Sequence, residues 1–261
     1  MDFSYFAVAA YALSAILLAR YFTKDDIKHP HSMTVALLVS FALIIQAFEF
    51  GNFWNGEGVV FGLANSTSFV AWLIAIMLFV SSISKPVHAL GIIVYPLVAI
   101  ALLFSTSFPD TADKVVSLSI ASHVFLSITA YALLTLAVCQ SVLLKIQENH
   151  LHAHNINGFI NKLPPLQTME HLLFQSIRAG FALLTLSLAT GFFFIEDIFA
   201  QHLLHKTVLS IIAWLIFLVL VFGRGFFGWR GRQSIVATQI GFAILVLAYF
   251  GSKFVLERLI A

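Results

Sequence analysis

The chain has 261 residues, of which 60% are hydrophobic and only 10% charged, whereas a soluble domain carries about 25% charged residues. Its 27 phenylalanines outnumber both the 14 Lys+Arg and the 12 Asp+Glu, so a soluble globular enzyme would lack the charged surface it needs. A net charge of +2 without a dense basic patch speaks against nucleic acid as a partner, and a single cysteine, Cys139, excludes a disulfide framework.

Apolar runs bounded by polar or turn residues follow one another down the chain. They fall at Phe3–Phe22, Met33–Phe50, Phe61–Val80, Val87–Phe104, Val115–Leu144, Met169–Phe194, Thr207–Phe222 and Ser234–Leu256. Each is long enough, or nearly so, to cross a hydrocarbon core as a helix of about 20 residues. The expectation is therefore an all-α, polytopic bundle of eight transmembrane helices. The fifth run exceeds the need and should project as a helix to about Glu148. The first run is not expected to be a cleavable signal, because Asp2 precedes it and no Lys or Arg does. Alternating strands of a membrane barrel are absent from the pattern.

The positions of Lys and Arg orient the spans. Arg20, Lys24, Lys28, Lys85, Lys145, Lys162, Arg224, Arg230 and Arg232 follow odd-numbered spans, nine in all; Lys114, Lys206, Lys253 and Arg258 lie on the opposite side, four in all. Nine against four predicts both termini outside. The longest polar segment, Gln147 to Gln167, contains Pro164 and Pro165 and reads as a loop within one membrane domain, residues 1–261, with helices one to four over 1–114 and five to eight over 115–261.

Polar residues inside such a chain are expensive and draw attention. Seven of the ten histidines fall near the cytoplasmic side: His29, His31, His88, His150, His152, His154 and His171. His123, His202 and His205 fall near the outer side. His123, Ser127 and Tyr131 recur at intervals of four, and His202 and His205 lie three apart, so helical turns would align each set. One reading makes His123 and either His202 or His205 the two axial ligands of a haem iron held between helices. The other makes His123 a donor to a neighbouring carbonyl and leaves the remaining two as wet interfacial residues. Zinc fits less well, since no Cys or carboxylate partner stands at a diagnostic spacing.

Span six carries a stripe of His171, Gln175 and Arg178. Arg178 either anchors an anion (a propionate, a lipid headgroup or Glu49) or snorkels to the interface. Gly180 and Gly191, about three turns apart on the same span, mark a face open to close helix approach. His150, His152 and His154 read as a solvated run that could also bind a metal. Gln46, Glu49, Phe53 and Trp54 suggest an acidic, aromatic outer rim, with Trp54 anchoring the interface; Trp72 and Trp214 read as packing or belt residues. No catalytic triad, carboxylate pair or phosphate loop stands out, so no self-contained catalytic site is expected.

The last four spans resemble the cytochrome c assembly superfamily of CcsA/ResC-like haem-handling membrane proteins, and within it the small YpjD/HemX-like branch. The resemblance is carried in order by Ser122-His123-Val124 through Ala130-Tyr131-Ala132, then Ile177-Arg178-Ala179-Gly180-Phe181 through Leu184-Thr185 to Gly191. His205-Lys206 through Trp214-Leu215-Ile216 to Arg224 comes next. Gly228-Trp229-Arg230-Gly231-Arg232 and Ala248-Tyr249-Phe250-Gly251-Ser252-Lys253-Phe254 complete it.

The resemblance implies haem near the outer face, with His123 as an outer axial ligand. It also implies a bacterial cytoplasmic (inner) membrane location. The family's tryptophan-rich segment before span seven is here Phe199-Ala200-Gln201-His202-Leu203-Leu204-His205-Lys206, which keeps the lysine and lacks tryptophan. Phe222 stands where the family has a histidine, and the family's histidine beyond span eight has no counterpart. These departures direct attention to His202 and His205 as the replacement outer ligand, with Lys206 as a cation for a propionate.

The implied cofactor is haem b. The implied partners are membrane lipid, haem and other cytochrome-maturation or haem-biosynthesis proteins. A cofactor-free regulatory or accessory membrane subunit is the competing class. A small-solute transporter is weaker, lacking broken helices in matching halves.

Overall fold

The computed structural model describes residues 3–23, 32–50, 63–108, 118–153, 159–194 and 201–251. Among them every regular element is helical: α1 (Ser4–Thr23), α2 (Ser32–Glu49), α3 (Leu63–Ser84), α4 (Gly91–Ser107, after a 3-10 turn at His88–Leu90), α5 (Leu118–His152), α6 (Leu166–Phe194), α7 (Gln201–Phe227) and α8 (Arg232–Val246, widening to a π turn over Leu247–Gly251). Seven of these are long and apolar enough to cross a membrane. The apolar part of α2, Met33–Glu49, is shorter. The fifth helix overruns its apolar stretch and continues to His152. Its polar end can do so because all its backbone groups pair within the helix, in or out of the bilayer.

The chain forms two compact units. Met1–Leu118 with Asn149–Pro165 makes the first, and Ser119–Glu148 with Leu166–Ala261 the second. The polar segment expected as a plain loop thus has a structural place. Lys162 Nζ donates to the Tyr21 carbonyl at 2.8 Å and lies over the Tyr21 ring, while Phe159 packs on Phe22. These contacts tie the segment to the end of α1.

In the first unit, α1 packs on α2 and α4, and α3 on α2 and α4. Gln46, fully buried, is where α1, α2 and α3 are joined. Its Oε1 accepts from the Tyr11 hydroxyl at 3.1 Å, and its Nε2 donates to the Ser68 carbonyl at 3.0 Å. A buried amide in an apolar bundle costs several kcal/mol unless so satisfied. The Ser4 hydroxyl donates to Glu49. The Trp72 indole donates to the Leu43 carbonyl at 3.0 Å and packs against Phe50 and Phe69, as a packing tryptophan should. Trp54 and Phe53 lie outside the described residues.

In the second unit, α6 packs on α7 and α7 on α8. Helix α5 runs antiparallel to α6 in a single register. Leu134 lies against Gly180, Ser127 against Ser187 and His123 against Gly191. A Cβ on Gly180 would come within 2.8 Å of Leu134, so the two glycines do allow the close approach expected of them. Trp214 donates to Thr185 Oγ1 at 2.9 Å and stacks on Phe181, joining α7 to α6 through family-like positions.

A histidine seat between two helices and an ionic clamp at their far end

His123 is half-buried on α5, and its Nδ1 lies 2.9 Å from the Ser187 carbonyl oxygen of α6 and 3.3 Å from Thr190 Oγ1. A carbonyl only accepts, so Nδ1 carries the proton and Nε2 keeps its lone pair. The ring is seated on Gly191, where a Cβ would sit 2.9 Å from Cε1. Ser127 Oγ donates to the His123 carbonyl at 2.7 Å and meets Ser187 Oγ at 2.6 Å, so the Ser187 hydroxyl is the donor to Ser127. One turn further, the Tyr131 hydroxyl donates to the Leu245 carbonyl at 3.3 Å, and its ring packs on Tyr249 of the π turn. His123 Nδ1 and the Ser127 and Tyr131 hydroxyls are thus engaged with α6 and α8, and His123 Nε2 is left over. Ser187, Thr190 and the seating role of Gly191 were not singled out from the sequence; the run of small residues along α6 was the available signal.

His202 and His205 lie on the first turns of α7, which begins at Gln201, ahead of its apolar run. Their backbones are helical, as the three-residue spacing requires. Their side chains lie outside the described positions. Lys206, next in the helix, is half-buried. Arg178 is exposed, and its Nε donates to the Phe174 carbonyl at 3.3 Å. It precedes Gly191 by 13 residues on the same helix, about 20 Å at 1.5 Å per residue, so α6 does not bring it to the His123 seat. In the same stripe, Gln175 Nε2 donates to His171 Nε2 at 3.1 Å on an exposed face. His150 and His152 are exposed, and His154 lies outside the described residues. Among the described residues no three His, Cys, Asp or Glu side chains converge as a metal site.

A second polar cluster, missed in the sequence, stands at the other end of the unit. Glu170, 7% exposed, accepts from the Gly231 amide at 2.7 Å and pairs with Arg224 at 3.7 Å. Arg224 also donates to the Trp229 carbonyl at 2.9 Å and lies over the Phe174 ring. Gly231 has φ 57°, a conformation that favours glycine, and Gly223 gives the Trp229 indole room. The Gly228-Trp229-Arg230-Gly231-Arg232 segment is therefore a turn clamped by an ion pair, and its role is to fix the entry to α8.

Comparison with known proteins gives a consistent picture. The sequence profile of the family described as cytochrome C assembly protein matches residues 60–260. The inner membrane protein YpjD of Escherichia coli K12 is 31% identical over 223 residues, covering 85% of this chain and 84% of that protein. The cytochrome c biogenesis protein CcsA of Mesostigma viride is 23% identical over 285 residues, 95% of this chain and 92% of that protein. CcsA of Prochlorococcus marinus NATL1A is 25% identical over 112 residues, 40% and 36% of the two chains. No solved structure matches the chain.

Proposed function

Because the chain belongs to the cytochrome C assembly protein family, we propose that it is a multi-pass inner-membrane protein that binds b-type haem near the outer face and handles it for cytochrome maturation. His123 and His205, or failing it His202, would hold the haem iron. The location follows from the YpjD relative, named as an inner membrane protein, and the haem role from the CcsA relatives, named for cytochrome c biogenesis. The nine-to-four Lys/Arg count supports eight spans with both ends outside. The 18 residues of α2 suffice for the eighth, since about 17–25 are needed.

The observation that carries this reading is the state of the His123 ring. Both a packing histidine and a ligand would bond a carbonyl through Nδ1. Metal-ligating histidines characteristically do so, which fixes the tautomer and aims the other nitrogen. Here Nε2 has no hydrogen-bond partner among the described residues, and on a half-buried ring its lone pair is available to a ligand. The donor set therefore fits a haem iron on the His123 side. Haem would supply the redox-active iron. The chain's own residues orient one imidazole through Ser187, Thr190 and Gly191, and offer Lys206 as a cation beside the second histidine pair. Arg178, remote along α6, takes the part of an interfacial cation.

The test is the absorption spectrum of the detergent-purified protein, followed by His123→Ala, His205→Ala and His202→Ala. The expected result is a low-spin spectrum in wild type, with haem loss or high-spin character in His123→Ala and in one of the other two. Wild type without haem under haem-replete expression would instead favour the cofactor-free accessory subunit.

A further inference from the structure

The first unit holds a half-open cavity of about 280 Å³ among α1, α2, α3 and the start of α4. Leu18, Leu78, Phe79 and Ile83 give it apolar walls, and His88 and Tyr95 are its notable polar groups. Tyr95 is 4% exposed, and its ring folds back along α4 over Gly91, whose Cβ would meet it at 2.7 Å. Helical side chains lean toward the N-terminus in this way, so the hydroxyl is carried toward the turn that bears His88.

The neighbouring Tyr11 ring stacks on Tyr95 and has its hydroxyl satisfied by Gln46. The Tyr95 hydroxyl and the His88 ring have no hydrogen-bond partner among the described residues. Neither polar group is sealed off, so two donors open to a ligand line one cavity. Its volume equals that of about nine waters at about 30 Å³ each, far more than one bridging water would need, and its apolar walls disfavour a water cluster.

We propose that this cavity holds one acyl lipid by its ester region. A fatty chain lies against Leu18, Leu78, Phe79 and Ile83, and the O–H of Tyr95 and an N–H of His88 donate to ester carbonyl oxygens. Two donors match the two ester carbonyls of a diacylglycerol backbone. Among the described residues no Lys, Arg, Asp or Glu lines the cavity, so the described part of the site reads the uncharged ester region. A phospholipid and a diacylglycerol share that chemistry.

Native mass spectrometry of the delipidated full chain is the test. It is titrated with a diester phosphatidylethanolamine, a diacylglycerol, and a diether phosphatidylethanolamine that lacks the carbonyls. The site predicts one retained diester lipid per chain, with the diether held several-fold more weakly. It also predicts a several-fold loss for Tyr95→Phe and for His88→Leu, because one hydrogen bond is worth about 0.5–1.5 kcal/mol. Equal retention of both diester lipids identifies the ester region as the whole determinant; preference for one names the source. Equal retention of diester and diether lipid by wild type, or no retained lipid, overturns the proposal without reliance on any variant. The His123 reading is untouched by either outcome.

Discussion

The imidazole of His123 rests on Gly191, so close that a methyl group there would stand 2.9 Å from Cε1. Leu134 rests on Gly180 in the same way, at 2.8 Å, about three turns along the same two helices. The two contacts are alike in packing and differ only in what the α5 residue is. That gives a matched pair of substitutions.

Gly191→Ala must push the ring off its seat, while Gly180→Ala displaces only an aliphatic side chain. Overpacking of this kind costs about 1–3 kcal/mol, so both variants should melt at lower temperature in detergent. Only Gly191→Ala should also lower haem content or add high-spin character. Equal spectra for both variants would separate the seat from the ligand and leave Gly191 a packing residue.

Tyr11 and Gln46 lend themselves to a double-mutant cycle. Gln46→Leu leaves the Tyr11 hydroxyl buried and unsatisfied, at a cost of about 1–3 kcal/mol, and Tyr11→Phe leaves Gln46 Oε1 without its donor. The double variant Tyr11→Phe/Gln46→Leu should lose less than the two singles combined, by about 1 kcal/mol. Equilibrium unfolding in mixed detergent measures it, and strict additivity would mean that the bond contributes nothing.

The contrast between His123 and Gln46 shows what could be read in the sequence. Hydropathy and length gave the helices and their approximate places, because an apolar stretch of that length has few other fates; polar ends escaped them, and α7 starts six residues before and ends five beyond its expected run. The His123–Ser127–Tyr131 face was legible because period four survives in any helix. The acceptors were not, since a backbone carbonyl such as that of Ser187 or Leu245 leaves no mark in residue identity. Gln46 stood near the expected outer rim but is buried as a three-helix junction. Hydropathy cannot distinguish a polar residue at an interface from one satisfied inside. The Glu170–Arg224 pair was hidden because its members lie on different helices, far apart in the chain.

That pair makes a further prediction. Glu170→Ala removes the acceptor of the Gly231 amide and the ionic partner of Arg224, which keeps the Trp229 carbonyl, so about 1–3 kcal/mol of stability should be lost. Gly231→Ala strains a φ of 57° and brings a Cβ to 3.0 Å from Glu148 Oε1, a cost of about 1–3 kcal/mol. Neither touches His123, so thermal stability should fall while the haem spin state of the surviving protein stays as in wild type. A spectral change equal to that of Gly191→Ala would show that the clamp and the histidine seat communicate.

The sidedness of the chain is the premise on which the outer haem site stands, and it can be tested without haem. Nine cations follow odd-numbered spans and four follow even-numbered ones, an asymmetry that sets orientation when it is counted over short loops. Cys139 is buried and is replaced by alanine to give a cysteine-free background. Single cysteines are then placed at Asn55, which follows α2 in sequence, and at His152, exposed at the end of α5. Asn55→Cys should react with a membrane-impermeant maleimide added to intact spheroplasts, and His152→Cys only after the membrane is opened. The reverse pattern would put the His123 end of α5 in the cytoplasm. Reaction of both from outside would mean an even number of spans between the two sites, with one of α3, α4 and α5 failing to cross.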